Sequence, residues 1–379
     1  MRNRFYLSIL FLFFSYCLFA QKPEKQISFA NESKPHTYYV QQAELWWNEV
    51  QKDKSSENAW YNYYRACRSA QGTDDWKQDF VKESPSLMLG ADILKLMKKY
   101  IPDTFTYYFV AGSTGGVNPN AGPDLLKAYQ MNPDFEGINS DVVTYAESIS
   151  DLALRKKANK YWFKKNELAA GLLTYGYNVL MSVKPNSILL TQGDNDTYPL
   201  WMLQDALDIR PDVTVICIDF LIEEHYRDRI FKKLNINNMD LKYHDINHYI
   251  VNWEDIVHQF LNNIKKEHPL YIGLTVPPSL YKNYIDRLSV SGLTLMYSEK
   301  PVNNVAINKL IFENSFLLDN LKVDLISNTN QKNIDELNLN YLKCFNILYH
   351  HYQITHQAVK AKKIKELILL VSKKASDTK

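Results

Sequence analysis

The stretch Ser187-Ile-Leu-Leu-Thr-Gln-Gly-Asp-Asn-Asp-Thr-Tyr-Pro-Leu-Trp201 decides how this chain is expected to fold. Its first five residues form a short apolar run of the kind that is typical of a buried strand. The Gly193–Thr197 segment has turn composition, and helical spacing of apolar residues begins at Leu200. A strand that passes through a polar turn into a helix is the first half of a βαβ unit.

Further strands and helices alternate after this unit. Apolar runs recur at Val213–Ile218, Leu270–Val276 and Leu293–Tyr297, and the segments between them have helical spacing. Such alternation indicates a parallel sheet with right-handed crossovers. The predicted fold class is therefore α/β, with a small parallel, Rossmann-like sheet domain over residues 161–302.

The residues on both sides of this domain show the apolar spacing of helices. Pro-Asp turns at Pro102 and Pro133 lie 31 residues apart, close to the period of about 34 residues in tetratricopeptide repeats. We predict a degenerate, tetratricopeptide-like helical region over 21–160 and a helical region over 303–379. Plain helical packing without repeat symmetry remains an alternative, because the break at Lys52–Ser56 comes 48 residues before the next turn and does not keep this period.

The first twenty residues are typical of a secretory signal. Two arginines precede the apolar run Phe5–Phe19, and Ala20 provides a small residue for cleavage. The run is shorter than the roughly 20 residues of a spanning helix, so an uncleaved anchor is the weaker alternative. Lipidation at Cys17 is disfavoured because Tyr16 occupies the position that requires a small residue. We expect export to the periplasm or cell envelope, cleavage near Ala20, and a soluble mature protein.

The charge balance narrows the choice of partners. The sequence has 44 Lys and Arg residues against 42 Asp and Glu, and the predicted signal contains two arginines and no acid. A neutral mature chain argues against nucleic acid or an anionic membrane surface, since both attract a basic excess. The three remaining cysteines, Cys67, Cys217 and Cys344, do not form a disulfide framework, although a Cys67–Cys344 bridge stays open.

The Gly193–Thr197 turn has the clearest chemical content. Ligands bind at the carboxyl ends of strands in open α/β sheets. Asp194 and Asp196 offer two carboxylates to a hard divalent cation, and Asn195 and Thr197 add neutral oxygens. The following helix begins with free backbone N–H groups that attract anions. The turn is therefore a candidate site for a metal ion or a metal–phosphate ligand.

Two later strand ends extend this candidate site. Asp219 follows the second strand and Thr275 lies at the end of the third, so both are expected at the same edge of the sheet. A structural role remains the alternative, in which Asp194 supports a tight turn and Asp196 N-caps the helix that Pro199 begins. The predicted ligand-binding residues are Gly193, Asp194, Asn195, Asp196, Thr197, Asp219 and Thr275, with Asp194 and Asp196 as metal ligands.

Known catalytic motifs do not fit this turn closely. An apolar strand followed by Asp-x-Asp looks like the metal site of nucleotide-sugar glycosyltransferases, but their donors are scarce outside the cytoplasm. Haloacid-dehalogenase-like phosphatases require Asp-x-Asp-x-Thr, and Thr197 comes one position too early. His244 and His248 have a spacing that zinc can use, yet a polar surface segment is favoured. The glycine loop 112–116 lacks the lysine of phosphate-binding loops.

The segment Tyr177–Val215 resembles the soluble carboxyl-terminal part of large polytopic bacterial envelope proteins related to protein O-mannosyltransferases. In that family a strand, Gly-Asp-Asn-Asp-Thr, an aromatic residue, Pro-Leu-Trp and an Arg-x-Asp-Val strand recur together, as in Gly193–Trp201 and Arg210–Val213 here. The likeness covers roughly residues 170–300. A signal peptide stands where the family has a membrane part with many helices. Because that part would carry glycosyl transfer, transferase activity is not carried over.

The resemblance implies an envelope-facing α/β domain with helical repeats that binds glycans, peptides or partner proteins. Helical repeats build extended concave surfaces that suit such partners. The expected function is therefore an exported envelope protein that acts as a non-catalytic binding or scaffold module for protein or glycan partners. The alternative is a metal-dependent enzyme that acts on sugar or phosphate substrates through Asp194 and Asp196. A divalent cation is the one cofactor that this alternative implies.

Overall fold

The structure is a computed structural model that describes residues 22–28, 31–113, 119–236, 249–264, 268–323 and 331–377. The chain forms two compact units, Met1–Ala111 and Gly112–Lys379. The boundaries predicted at residues 160 and 302 both lie inside the second unit. The predicted signal peptide, the two histidines at 244 and 248, and most of the glycine loop lie outside the described residues.

The first unit is helical, and aromatic side chains fill its core. Ser56 starts the second helix by accepting a hydrogen bond from Ala59 N. The Trp60 ring lies 6.4 Å from Tyr63, and Trp47 lies 5.0 Å from Tyr63. These contacts account for part of the high aromatic content. The helices are α1 (His36–Lys52), α2 (Glu57–Thr73), α3 (Gly90–Tyr100) and α4 (Phe105–Ser113), with a 3-10 helix at Gln78–Lys82.

The second unit contains a five-stranded mixed sheet in its described part. Its strand order is β2-β1-β3-β5-β4. The central strand β1 pairs in parallel with β2 and β3, whereas β5 pairs antiparallel with β3 and β4. The strands are β1 (Ile188–Thr191), β2 (Thr214–Cys217), β3 (Leu270–Gly273), β4 (Leu288–Ser291) and β5 (Thr294–Tyr297).

Helices pack around this sheet and extend beyond it. The last two helices of the described chain lie within the helical region predicted over 303–379. The helices are α5 (Gly122–Met131), α6 (Ile138–Ser148), α7 (Leu152–Lys165), α8 (Ala170–Met181), α9 (Asp194–Leu207), α10 (Glu224–Lys233), α11 (Tyr249–Asn263), α12 (Pro278–Tyr281), α13 (Asn304–Asn314), α14 (Asp319–Lys322), α15 (Gln331–Asn338), α16 (Tyr341–Ile354) and α17 (Ala358–Asp377).

The mixed sheet confirms the α/β mix and corrects the prediction of a wholly parallel sheet. The segment 279–288 was predicted to be helical, but α12 is short, a 3-10 helix follows at Lys282–Arg287, and β4 then begins. A tight turn at Gly292 (φ +58°) returns the chain antiparallel as β5. The Rossmann-like and tetratricopeptide-like descriptions remain predictions.

The cysteines correct one open alternative. Cys67, Cys217 and Cys344 are all buried free thiols, so no Cys67–Cys344 bridge forms. Burial raises the pKa of both Cys67 and Cys344 to about 12. Among the described residues, no helix has both the length and the apolar character needed to cross a membrane.

Candidate functional site

The turn between β1 and α9 is shorter than the sequence predicted. Only Gln192 and Gly193 separate the strand from the helix, which begins at Asp194. Gly193 is the N-cap residue, with φ 78° and ψ 169°, a conformation that essentially only glycine adopts. The helix thus begins five residues before Pro199, which lies inside it. The alternative in which Asp196 N-caps the helix is therefore wrong.

Asp196 is the third residue of α9, and its side chain is 4% exposed. Its Oδ2 accepts a hydrogen bond from Gln192 N at 3.0 Å and another from the Thr275 hydroxyl. A side chain at the third helical position that reaches back to a preceding backbone N–H works like half of a capping box. Asp196 thereby ties the end of β1 to the segment that follows β3.

Asp219 supports the same turn from the other side. It lies in the 3-10 helix Ile218–Ile222 after β2, and its Oδ2 accepts a hydrogen bond from Gly193 N at 2.8 Å. The Sγ of Cys217 lies 3.9 Å from that oxygen. The two carboxylates therefore bind successive backbone N–H groups, those of Gln192 and Gly193.

The other predicted residues have different environments. Thr197 is fully buried, and its Oγ1 lies 2.8 Å from Thr191 Oγ1, so this side chain belongs to the interior of the fold. Asp194 is exposed, and Asn195 is half-buried. The structure therefore brings Asp196, Asp219 and Thr275 together around the turn, and Asp194 is the carboxylate of the motif that is open to solvent.

The environment of the two central acids changes their protonation. Burial raises the pKa of Asp196 to about 6, against hydrogen bonds from Thr275 and Gln192 that lower it, and the Asp219 charge raises it further. Burial also raises the pKa of Asp219, although the hydrogen bond from Gly193 N opposes this effect. Asp196 is therefore partly protonated in mildly acidic solution.

The turn lies at the switch point of the sheet. The chain leaves β1 toward β2 on one side and leaves β3 toward β5 and β4 on the other. A crevice at such a point is the usual ligand site of open α/β sheets. The Asp196–Thr275 hydrogen bond joins the ends of β1 and β3 at this point. A Cβ on Gly273 would lie 3.2 Å from Leu190 O, which shows how closely the two strands approach here.

A site for a divalent cation would need several oxygen ligands that converge on one point. In the described ranges, no group of three or more His, Cys, Asp and Glu side chains is placed to hold a metal ion. Calcium takes six to eight oxygen ligands. Asp196 already accepts two hydrogen bonds from the protein, whereas Asp194 is exposed to solvent.

The sequence did not reveal a buried ionic cluster behind this edge. Arg155 of α7 donates to both Asp205 oxygens at 2.9 Å and to Glu147 at 2.7 Å. Arg229 of α10 also pairs with Glu147, and Asn159 donates to Asp205 at 2.7 Å. These contacts join α6, α7, α9 and α10. Because the partners lie up to 82 positions apart, no local pattern could identify them.

The comparisons with known proteins reach part of this region. A family model described as TMEM260-associated domain 2 matches residues 173–269. That span is roughly a quarter of the chain and runs from α8 to the residue before β3, so it includes the Gly193–Thr197 turn but not Thr275. The comparison with curated proteins and the comparison with solved structures gave no match.

Proposed function

We propose that this chain is an exported cell-envelope protein that acts as a non-catalytic binding or scaffold module for a protein or glycan partner. One observation carries the proposal: the acids at the sheet edge support the turn itself. Asp196 and Asp219 accept hydrogen bonds from consecutive backbone N–H groups. Such an edge is a rigid platform, and rigid platforms bind partners at low entropic cost.

The match to TMEM260-associated domain 2 lies in the α/β region. It falls within the segment that resembles the soluble part of envelope proteins related to protein O-mannosyltransferases. That resemblance, together with the predicted export signal, suggests a protein that works close to glycosylated envelope components. The helical segments beside the sheet add the surface that a scaffold needs.

A glycan array tests the proposal. Residues 21–379 are labelled and applied to bacterial envelope and mannose-containing glycans, with Asp194→Lys as the variant at the edge. Asp286→Lys is the matched control, because Asp286 is also an exposed aspartate. We expect binding that Asp194→Lys reduces and Asp286→Lys preserves. If both variants bind like the original chain, the partner does not use this edge.

A second candidate function is a metal-dependent enzyme that acts on sugar or phosphate substrates. The observation in its favour is the pKa of Asp196, about 6, which suits a general acid or base near neutral pH. A thermal-shift titration with Mg²⁺, Mn²⁺ and Ca²⁺ separates the two candidates. A ligand at 100 times its dissociation constant stabilises by about 2.7 kcal/mol. Stabilisation that Asp194→Asn abolishes and Asp286→Asn preserves would favour the enzyme.

A further inference from the structure

A cavity of about 380 Å³ opens among the carboxyl-terminal helices. Phe312, Phe316 and Leu317 line it from α13 and the loop after it, and Ile364 and Leu367 line it from α17. Small-molecule sites have volumes of about 300 to 1,000 Å³ and are mostly apolar. This cavity is at the lower end of that volume range, and its lining combines these apolar side chains with charged ones, so it suits a small ligand with both an apolar and a charged part.

The wall that contains Leu317 is held in place by protein hydrogen bonds. Asn178 of α8 accepts from Leu317 N at 2.8 Å and donates to Leu317 O at 2.7 Å. Phe316 packs edge-on against the buried ring of Tyr341, with centroids 5.5 Å apart. A ligand therefore meets a formed wall and does not have to order this loop, which lowers the entropic cost of binding.

The charged side chains that line the cavity have a net positive charge. Lys360 pairs with Glu313 at 3.3 Å, and Lys322 pairs with Asp319 at 3.4 Å. Lys363 also lines the cavity, and it forms no ion pair with an acid in the described part of the chain. The lining thus carries three lysines and two acids, an excess of one positive charge at Lys363.

We propose that this cavity binds a small single-chain amphiphile with one negative charge, a medium-chain fatty-acid carboxylate. The tail lies between the walls of α13 and α17, and the carboxylate pairs with the Lys363 ammonium. One carboxylate matches the single uncompensated charge. A phosphate head would bring a charge of about −1.5 to −2 close to Glu313 and Asp319. A lipid with two tails is too large for a cavity of this volume.

Isothermal titration calorimetry with decanoate tests this site in residues 21–379. The informative pair is Lys363→Glu and Lys365→Glu, since both lysines are exposed on α17 and only Lys363 lines the cavity. We expect Lys363→Glu to weaken decanoate binding at least about tenfold, as loss of a charged hydrogen bond does. Lys365→Glu should leave the dissociation constant within about twofold.

A second pair tests the apolar wall. Leu317 is 49% exposed and lines the cavity, whereas Leu369 is 58% exposed on α17 and does not. Leu317→Gln should weaken decanoate binding, and Leu369→Gln should not. The proposal is overturned if decanoate gives no saturable heat, or if the two variants of either pair behave alike. It is also overturned if decanol, decyl phosphate or a peptide with a free carboxyl-terminal leucine binds more tightly than decanoate.

Discussion

At Asp196, opposing influences act on one carboxyl group. Burial raises its pKa from the ordinary 3.8 to about 6, and hydrogen bonds from Thr275 and Gln192 oppose this rise. The folded protein therefore holds the proton more tightly than the unfolded chain does. The protonated Asp196 therefore contributes its full share to the unfolding free energy below about pH 4, and this contribution is lost as the pH rises through about 6.

Asp196→Asn should remove this pH dependence, because an asparagine Oδ1 can still accept the hydrogen bonds and cannot ionise. The unfolding free energy of the original protein should fall as the pH rises from 4 to 7.5, and that of the variant should not. The difference between the two should therefore change in favour of the variant by up to about 3 kcal/mol over this range. Urea unfolding at both pH values measures this difference. Asp286→Asn, at an exposed position, should show no such gain. An equal difference at the two pH values would contradict the assigned environment of Asp196.

Gly193 offers a test of backbone strain without a steric clash. Its φ and ψ of 78° and 169° are strained for every residue except glycine, although a Cβ there would meet no atom within 4 Å. Gly137 is the matched control, since it also has open space but adopts the left-handed helical conformation. We expect Gly193→Ala to lower the unfolding free energy by about 1 to 3 kcal/mol. Gly137→Ala should cost less, and the reverse order would contradict this account.

At the scale of elements, one asparagine holds the β4–β5 hairpin against α13. Asn308 is fully buried, accepts from Gly292 N at 2.9 Å and donates to Val290 O at 2.8 Å. The tight turn also needs this glycine, because a Cβ on Gly292 would lie 2.2 Å from Ser182 Oγ. The hairpin is thus fixed by Asn308 of α13 and by Ser182, the residue after α8, which accepts hydrogen bonds from the Ser291 hydroxyl and from Leu293 N.

Asn308→Ala should lower the unfolding free energy by about 2 to 4 kcal/mol, because it leaves two buried backbone groups without partners. Chemical denaturation monitored by circular dichroism measures the loss. Asn314→Ala on the same helix is the control, since Asn314 is exposed and bonds only within its helix among the contacts described. That change should stay within about 0.5 kcal/mol. Equal losses would mean that Asn308 does not hold the hairpin.

The sequence predicted those elements whose signal is local. β1, β2 and β3 were predicted because apolar runs such as Ile188–Thr191 are bounded by turn residues. β4 was missed because Leu288–Ser291 has no long apolar run. This segment becomes a strand because it pairs with β5, and such pairing is not visible in the local sequence. The Ser291-Gly292 dipeptide was the available signal for a turn there.

The candidate site, too, was predictable from the sequence only in part. Its position at the strand ends followed from the sequence, since carboxyl ends of parallel strands share one edge. The roles of its acids did not, because Asp196 binds Thr275 from 79 positions away and Asp219 binds a backbone N–H from 26 away. Such long-range bonds depend on how the strands assemble, which no motif specifies.

For the whole molecule, the first twenty residues predict export and cleavage of a signal peptide, and these residues lie outside the part of the chain that the structure describes. The order of arginines, apolar run and small residue predicts cleavage after Ala20 when the full chain is produced in a bacterial host. Amino-terminal sequencing of the protein from the periplasmic fraction should therefore begin at Gln21. Replacing Leu10 with arginine should retain the precursor in the cytoplasm. Intact Met1 in a membrane fraction would indicate an anchor instead.

The second unit gives the last prediction, which concerns where the chain can be divided. Residues 112–379 contain every partner of the buried cluster, whereas a fragment from residue 161 lacks Arg155 and Asn159. Asp205, which is 8% exposed in the intact chain, would then lose both donors together with most of α7, the helix packed against α9, and apolar side chains of α9 would be exposed to water. Removing one partner of a pair that stays buried, as Arg155→Met does in residues 112–379, costs about 3 to 5 kcal/mol, a large part of the stability of an ordinary domain.

We therefore expect 112–379 to unfold in one sharp thermal transition and 161–379 to unfold at a lower temperature or to aggregate. Calorimetry of both fragments measures this difference. Arg155→Met in the longer fragment removes the pair without removing any helix, so it should lower the transition temperature in the same direction. If 161–379 were as stable as 112–379, the helices before residue 161 would form a separate domain, as the sequence pattern alone had predicted.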